Sequence, residues 1–234
     1  HWMVHSFPTR RSSDLDVSTV VRAGADAIGF NFFRGSKRFV SNARANDLIQ
    51  MARRNPGNAA PLDFVGVFVN SDAQSIKTAV SETGINVIQI HGDETVEQIA
   101  EIHRRCPNIP LIRALRLHSE NAERRLEEID HMLVSIPFAA ILLDTFVPGE
   151  FGGTGKTLDV RILQTYLSKS RPRLILAGGL TPENVTSVHS HPAVWGIDTA
   201  SGVESSPGTK DAVRVFNFIK NARQANSVDR HVCR

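Results

Sequence analysis

Short, nearly continuous apolar runs alternate along the chain with stretches whose apolar residues recur every three to four positions. Apolar runs of this kind are typical of parallel strands that are buried on both faces. They predict strands over residues 26–33, 64–70, 86–91, 111–117, 139–144, 174–177 and 194–198. The stretches between them predict helices over residues 42–54, 73–83, 95–105, 120–134, 158–168, 182–190 and 210–224, with one more at 14–23.

Residues at the ends of these stretches support the predicted helices. Ser41, Ser71 and Thr181 stand where an N-cap is expected, because their side-chain oxygens can accept hydrogen bonds from first-turn N–H groups. Gly24 and Gly84 predict C-terminal stops, because glycine readily adopts the left-handed conformation that ends many helices.

Repeated βα units of this number predict an α/β fold, the (β/α)8 barrel. Because helix 14–23 precedes the first recognisable strand, an eighth strand is expected before residue 14. That segment alternates poorly and Pro8 interrupts it, so we expect a first strand that is poorly formed or atypical. An open doubly wound sheet is the alternative, but the chain has no glycine-rich dinucleotide fingerprint after its first strand.

The start of the chain is unusual. Residues 6–15 resemble the conceptual translation of a sequencing adapter. We therefore expect residues 1–13 to be a non-native segment, residues 14–224 to form the barrel and residues 225–234 to be a C-terminal tail. A divergent first strand is the alternative interpretation of the same residues.

Composition narrows the class of protein. The 234 residues are 41% hydrophobic, and no stretch approaches the roughly 20 apolar residues of a membrane span, so we expect no membrane association. The chain contains two cysteines, Cys106 and Cys233, which excludes a disulfide scaffold and favours a cytoplasmic setting. No Cys/His spacing indicates a metal site. We expect no metal.

The net charge of +3 suggests nucleic-acid binding at first sight. The excess is confined to the two ends, however, since Arg10 and Arg11 stand in residues 1–13 without an acidic residue, and residues 217–234 are also basic. The remaining body, residues 14–216, is slightly acidic. A nucleic-acid-binding face would place its basic residues on the folded body, so we expect no nucleic-acid partner.

In a (β/α)8 barrel, chemistry is carried by residues at the C-terminal ends of the strands. Asp144 ends the run Ala-Ala-Ile-Leu-Leu-Asp and is expected to point into the mouth of the barrel. Desolvation there would raise its pKa, as suits a general acid. A structural Asp that caps a loop is the alternative.

The segments after the last two strands are small and glycine-rich. Gly178 and Gly179 follow one strand, and Ala200 and Ser201 follow the next. Barrel enzymes commonly bind phosphate at this place through backbone N–H groups, so a phosphate site is predicted. The alternative is that these residues only form tight turns.

Three further features are ambiguous from the residues alone. Arg34, Lys37 and Arg38 crowd the loop after the second strand and suit either an anion or solvent. His91 can be a rim histidine or a functional one. Residues 152–157, Gly-Gly-Thr-Gly-Lys-Thr, resemble a P-loop, but the position of its first glycine is Glu150, so a mobile loop is the better interpretation.

Taken together, these segments resemble the phosphoribosylanthranilate isomerase family of tryptophan biosynthesis. The resemblance covers about residues 16–222. It rests on residues 23–30, 36–41, 65–70, 88–93, 142–144 with 152–156, 176–185 and 198–210.

The resemblance implies an Amadori rearrangement of N-(5-phosphoribosyl)anthranilate without a cofactor. It implies that Asp144 is the general acid and that Arg38 holds the anthranilate carboxylate. Asp198 and His91 would lie near the ribose or the ring. The phosphate would be surrounded by Gly178, Gly179, Ala200 and Ser201. A helix beginning near residues 205–208 would direct its N-terminal field at that phosphate.

One departure from the family pattern is serious. The general base of the family is a Cys that ends the first strand, and the family spacing from Gly24 places this position at Thr9. A threonine hydroxyl cannot serve as a comparable base near neutrality. Lys37 also replaces the proline of the family's Ser-Pro-Arg loop, which is a minor difference.

Two hypotheses follow. The first is an isomerase, monomeric or homodimeric and acting on a small phosphorylated substrate, whose chain as written is inactive for lack of its base. The second is a non-catalytic barrel that binds a phosphate ligand. A sibling activity such as indole-glycerol-phosphate synthase fits poorly, because Asn70 and Gln89 stand where catalytic Lys and Glu are expected.

Overall fold

The structure, a computed structural model, describes residues 2–5, 13–54, 61–117, 120–144 and 160–228. Within these ranges, eight parallel strands pair in sequence order and form a closed barrel, which confirms the predicted fold. The strands are β1 (Trp2–His5), β2 (Ala27–Asn31), β3 (Asp63–Phe68), β4 (Val87–Ile90), β5 (Leu111–Arg116), β6 (Phe138–Asp144), β7 (Arg173–Ala177) and β8 (Val194–Thr199). The helices are α1 (Ser13–Ala23), α2 (Asn42–Arg54), α3 (Ala73–Thr83), α4 (Val96–Arg105), α5 (Ala122–Leu133), α6 (Val160–Leu167), α7 (Val185–His189) and α8 (Ala212–Val228).

The first strand is short but closes the barrel. It pairs with β2 from Met3↔Ala27 to His5↔Gly29, and with β8 from Trp2↔Ile197 to Val4↔Thr199. Parallel pairing uses backbone N–H and C=O groups, so a segment with poor alternation can still form a strand between two open edges.

The cap residues were predicted with mixed success. Ser41 caps α2, since its hydroxyl accepts a hydrogen bond from the Arg44 N–H at 3.3 Å. The prediction of Ser71 is wrong: Asp72 caps α3 and accepts from the Ser75 N–H at 2.8 Å. Asp72 follows Ser71 directly and has the extended backbone conformation that an N-cap requires. Gly84 ends α3 with a φ of 79°, as predicted.

The segments around the last two strands differ from prediction. Thr181 begins a turn closed by its N–H and the Asn184 Oδ1 at 2.8 Å, so α7 starts later than expected. The helix expected near residues 205–208 is absent from this described segment. A short 3₁₀ turn, Ser201–Val203, leads instead into a hairpin of β9 (Glu204–Ser206) and β10 (Thr209–Lys210). The Pro207-Gly208 pair favours this turn, and Gly208 has a φ of 91°.

The last helix, α8, runs on to Val228, so part of the expected C-terminal tail is helical.

Two apolar clusters lie on the two sides of the barrel wall. Successive side chains of a strand point to opposite faces, so β6 sends Ala140 and Leu142 inward, and Ile141 and Leu143 outward towards the helices. The inner cluster comprises Val65, Val87, Ile112, Ala114, Ala140, Leu142, Ile175 and Ala177. Cys106, after α4, is buried in the outer cluster, away from the strand ends that carry the polar residues.

A buried ion pair ties three strands together on the outer side of the barrel. Arg113 of β5 and Glu94 lie 2.7 Å apart, and each side chain is 2% exposed. The Glu94 carboxylate also accepts the N–H groups of Asn70 at 2.7 Å and Gly92 at 3.0 Å, while Arg113 donates to the Gly92 carbonyl at 3.0 Å. The loops after β3 and β4 are therefore fixed to β5, and with them the adjacent His91.

Arg113→Met is expected to lower the free energy of unfolding by about 3–5 kcal/mol, because it leaves the Glu94 carboxylate buried without its cation. The measurement is chemical denaturation monitored by circular dichroism. Lys169→Met is the matched control, since Lys169 pairs with Asp130 at 2.8 Å but is 58% exposed, and its loss should cost less than about 1 kcal/mol. Equal losses in the two variants would contradict a structural role for the buried pair.

Candidate functional site

A cavity of about 550 Å³ opens at the C-terminal ends of the strands. Its wall contains the eight described residues to which the resemblance assigns a role. These are Arg38, His91, Asp144, Gly178, Gly179, Asp198, Ala200 and Ser201. Arg34 does not belong to this wall; its guanidinium lies over the ring of Phe39, 5.3 Å from the centroid.

The strand alternation explains which side chains reach the cavity. On β6, Ala140, Leu142 and Asp144 share the inward face, so the carboxylate follows two core residues at the open end. Arg116 of β5 and Gln89 of β4 reach the cavity by the same rule. The polar residues of the cavity wall are therefore the next inward-facing positions on strands whose earlier inward positions form the apolar interior.

Asp144 and His91 face each other across the cavity floor. The His91 Nε2 lies 3.9 Å from the Asp144 Oδ2, and both side chains are partly exposed. On the other side of the imidazole ring, the Gln89 Nε2 lies 3.4 Å from the His91 Nδ1. The imidazole ring therefore lies between the Gln89 amide and the Asp144 carboxyl group.

Arg38 is held in place by a compact loop after β2. The Arg38 N–H donates to the Ser36 hydroxyl at 3.0 Å, and the loop returns to the strand where the Val40 N–H donates to the Asn31 carbonyl at 2.8 Å. The Asn31 side chain closes the start of the loop by accepting the Phe33 N–H at 2.9 Å. The backbone of Arg38 is therefore fixed at the rim of the cavity.

The Arg38 side chain forms an ion pair with an acidic residue that the sequence analysis did not predict as part of the site. Its Nε and Nη2 donate to the two carboxylate oxygens of Glu204 at 2.8 and 2.7 Å. The Glu204 side chain is 4% exposed. Burial opposes its ionisation, but the hydrogen bonds from Arg38 and the charge of Lys210 outweigh that effect, so the pKa of Glu204 lies below its usual value.

Glu204 and Lys210 face each other across the β9–β10 hairpin. The Lys210 Nζ lies 3.3 Å from the Glu204 Oε1 and donates to the Ala200 carbonyl at 2.8 Å. Burial lowers the pKa of Lys210 to about 8, although the charge and hydrogen bond of Glu204 act in the opposite direction. A pair of opposite charges flanking a Pro-Gly turn is the sequence signal that could have revealed this contact.

Asp16 of α1 completes this group of buried charges. Burial raises the pKa of Asp16 to about 6, although the Lys210 backbone N–H and the Lys210 charge favour the ionised form. The residue is 5% exposed. The first helix is thereby linked to the hairpin beside the cavity.

The two glycine-rich loops lie against one another. Gly178 and Gly179 have φ angles of 95° and 62°, in the region that favours glycine. A Cβ added to Gly202 would lie 1.7 Å from the Leu180 carbonyl oxygen. The same oxygen accepts a hydrogen bond from the Thr199 hydroxyl at 2.7 Å. The loops after β7 and β8 are therefore in backbone contact.

Neighbouring side chains donate hydrogen bonds to the carbonyl oxygens of these loops. Asn184 donates to the Gly179 carbonyl at 3.0 Å, Lys210 to that of Ala200 at 2.8 Å and Arg214 to that of Gly202 at 2.9 Å. The C=O and N–H of a trans peptide unit point in opposite directions. Because Lys210 donates a hydrogen bond to the Ala200 carbonyl, the Ser201 N–H of the same peptide unit points away from Lys210.

Some predicted features lie outside the described residues. They are the P-loop-like segment 152–157 and Thr9, the position of the family base. Among the residues that the structure describes, no group of three or more His, Cys, Asp or Glu is arranged to hold a metal ion. Within the same ranges, no helix is both long and apolar enough to cross a membrane.

Comparisons with known proteins agree on one family. The family model described as N-(5'phosphoribosyl)anthranilate (PRA) isomerase matches residues 9–221. The chain is 36% identical over 214 residues to the N-(5'-phosphoribosyl)anthranilate isomerase of Herminiimonas arsenicoxydans, covering 91% of this chain and 89% of that protein.

Solved structures agree with the sequence relatives. The phosphoribosyl anthranilate isomerase of Thermotoga maritima superposes with a TM-score of 0.76 at 33% identity, over 96% of this chain and 98% of that one. A second such isomerase, in complex with reduced 1-(o-carboxyphenylamino)-1-deoxyribulose 5-phosphate, has a TM-score of 0.73 at 31% identity over the same shares.

Gly202→Ala is expected to lower the free energy of unfolding by about 2–4 kcal/mol, because the new methyl group would collide with backbone that no side-chain rotation can move. Thermal and chemical denaturation measure the loss. Gly35→Ala is the control: its Cβ would lie 2.7 Å from the exposed ring of Phe33, which can swing aside. A Gly202→Ala protein as stable as Gly35→Ala would refute the backbone contact.

Asp16→Asn is expected to stabilise the protein above pH 6 by about 3 kcal/mol and to leave it unchanged below about pH 3.5. The folded-state pKa of about 6 lies above the usual 3.8, so the folded protein binds more protons in this window and loses stability as pH rises through it. Denaturation at several pH values tests this, with Asp14→Asn as the control, since Asp14 is 63% exposed. A difference between Asp16→Asn and wild type that does not change with pH would contradict the expectation.

Proposed function

This chain belongs to the N-(5'-phosphoribosyl)anthranilate isomerase family, intramolecular isomerases of tryptophan biosynthesis, and we propose that its cavity binds N-(5-phosphoribosyl)anthranilate. The rearranged product is 1-(2-carboxyphenylamino)-1-deoxyribulose 5-phosphate. The observation that carries the proposal is the convergence of Arg38, Asp144 and the two glycine-rich loops on one cavity.

The two anionic ends of the substrate fit two different parts of the wall. Gly178, Gly179, Ala200 and Ser201 receive the phosphate through backbone N–H groups, which glycine-rich loops bring close to an anion. Arg38 receives the anthranilate carboxylate, since a guanidinium presents two parallel donors to a carboxylate. His91 and Asp198 then lie beside the ribose or the ring.

Asp144 acts as the general acid. It protonates the furanose ring oxygen, the bond between C1 and that oxygen breaks, and the nitrogen lone pair forms an iminium at C1. The position of the carboxyl group at the end of β6, facing the cavity, supports this role, because a general acid must lie within reach of the atom that it protonates. The His91 Nε2 lies 3.9 Å from the Asp144 Oδ2 and so faces the carboxylate that remains after this proton transfer.

The second step requires a general base. The base removes the C2 proton, the released electron pair forms the C1–C2 double bond, and the iminium nitrogen becomes neutral. The resulting enolamine takes up a proton at C1 and loses the O2 proton to give the ketose. The substrate nitrogen is the electron sink, so the reaction needs neither metal nor cofactor.

The chain as written is proposed to bind without turnover. The family position of the base falls on Thr9, whose hydroxyl has a pKa far too high for this proton transfer. A non-catalytic phosphate-binding barrel would behave in the same way with this sequence. The two hypotheses separate when a first strand ending in Cys is supplied: the isomerase becomes active and the binding protein does not.

The cellular location, the oligomeric state and the absence of a nucleic-acid partner are each proposed from a single observation. The low cysteine content supports a cytoplasmic setting. One structural neighbour consists of monomers of a dimeric isomerase from Thermotoga maritima, which supports a monomer or a homodimer for this chain. The slightly acidic body supports a protein without a nucleic-acid partner.

Asp144→Asn tests the acid. In a chain whose first strand ends in Cys, this change is expected to lower kcat by about 10²–10⁴-fold, because the amide cannot supply a proton. Fluorescence-monitored turnover measures kcat, and binding of the reduced product analogue should change by less than about threefold, since the shape of the cavity is kept. Full activity in Asp144→Asn would remove Asp144 from the mechanism.

A further inference from the structure

The contact between Arg38 and Glu204 has a directional consequence. Among the described residues, the hydrogen bonds of the Arg38 guanidinium use Nε and Nη2, on the edge that faces Glu204. A guanidinium is planar and has a second edge, formed by Nη1 and the remaining N–H of Nη2. Occupation of the first edge fixes the direction in which the second edge points.

Glu204 is itself held on its other side. Lys210 approaches the Glu204 Oε1 at 3.3 Å and has a side chain with 0% exposure. The same ammonium group donates to the Ala200 carbonyl at 2.8 Å, in the loop proposed to hold the phosphate. A chain of contacts therefore runs from the phosphate loop through Lys210 and Glu204 to Arg38.

The charges along this chain of contacts keep Glu204 ionised. Arg38 and Lys210 both lie within hydrogen-bond range of its carboxylate, and the pKa of Glu204 lies below its usual value despite burial. An ionised carboxylate can accept from both donors of the guanidinium edge, whereas a protonated one offers a weaker grip.

We propose that Glu204 is a positioning residue for substrate recognition: it occupies the Nε–Nη2 edge of Arg38 so that the second edge receives the substrate carboxylate. Lys210 fixes Glu204 and thereby sets the carboxylate end of the site relative to its phosphate end. The inference rests on the proposed function, because it needs a ligand with a ring carboxylate and a phosphate.

The test compares the binding of two ligands that differ in one group. One is reduced 1-(o-carboxyphenylamino)-1-deoxyribulose 5-phosphate, and the other is the same molecule without the ring carboxyl group. Calorimetry gives Kd for each with the full chain, which needs no general base for binding. The ratio of the two Kd values measures recognition of the carboxylate alone.

Wild-type protein is expected to prefer the carboxylated ligand. Glu204→Gln and Glu204→Asp should each reduce that preference by about tenfold and leave the Kd of the other ligand within about twofold. Asp at this position keeps the charge beside Lys210 but withdraws the carboxylate from Arg38 by one methylene group. A purely structural role based on charge balance would leave Glu204→Asp like wild type.

Each other outcome overturns the inference in an identifiable way. If wild type binds neither ligand, the proposed function fails and the inference fails with it. If wild type prefers the carboxylated ligand but Glu204→Asp keeps the full preference, the inference alone fails. Tighter binding of the carboxylated ligand by Glu204→Gln would make Glu204 a competitor for Arg38 instead of its support.

A further variant guards against loss of folding. If Glu204→Gln does not fold because Lys210 is left without a buried counter-charge, the double variant Glu204→Gln/Lys210→Met removes both charges together. It should show the same loss of preference. In an Arg38→Met background the change at Glu204 should leave the ratio unaltered, and a persisting effect would show that Glu204 does not act through Arg38.

Discussion

The alternation of side chains along a closed parallel barrel is the constraint on which the rest of this structure depends. Once Ala140 and Leu142 fill the interior, the next inward position on the same strand is at the mouth, and Asp144 occupies it. The same rule brings Gln89 and Arg116 into the cavity. The chemistry of the mouth is therefore tied to the packing below it, because a shift of one residue in strand register would send these polar groups into the helix layer.

Buried charge is the second theme of the molecule. Arg113 and Glu94 on one side of the barrel, and Arg38, Glu204 and Lys210 on the other, each combine opposite charges with hydrogen bonds to backbone. Such groups contribute little net stability compared with well-packed apolar side chains. Their effect is geometric, since they fix segments at the mouth of the barrel in one arrangement.

The sequence was informative where local rules decide the structure. Apolar runs and their spacing predicted the barrel, and the end of a strand predicted Asp144 at its mouth. For His91 the residues alone left a core or rim position and a functional one as alternatives. Glu204 was not predicted because its partner Arg38 is distant in sequence. Only the folded barrel brings the loop after β2 next to the β9–β10 hairpin. The helix that the resemblance implied near residues 205–208 does not form, because the Pro-Gly pair turns the chain into a hairpin. Thr9 belongs to neither case, since it lies outside the described residues.

The contact between Gly202 and the Leu180 carbonyl has a consequence for how a ligand enters. Moving one of these two loops away from the other would break their backbone packing and the hydrogen bond from the Thr199 hydroxyl, which makes this side of the cavity rigid. The Arg38 loop is joined to this part of the wall through Glu204 and Lys210, so it belongs to the same fixed frame. A ligand that enters here therefore meets a surface that is already formed, so little conformational entropy is lost in ordering these two loops.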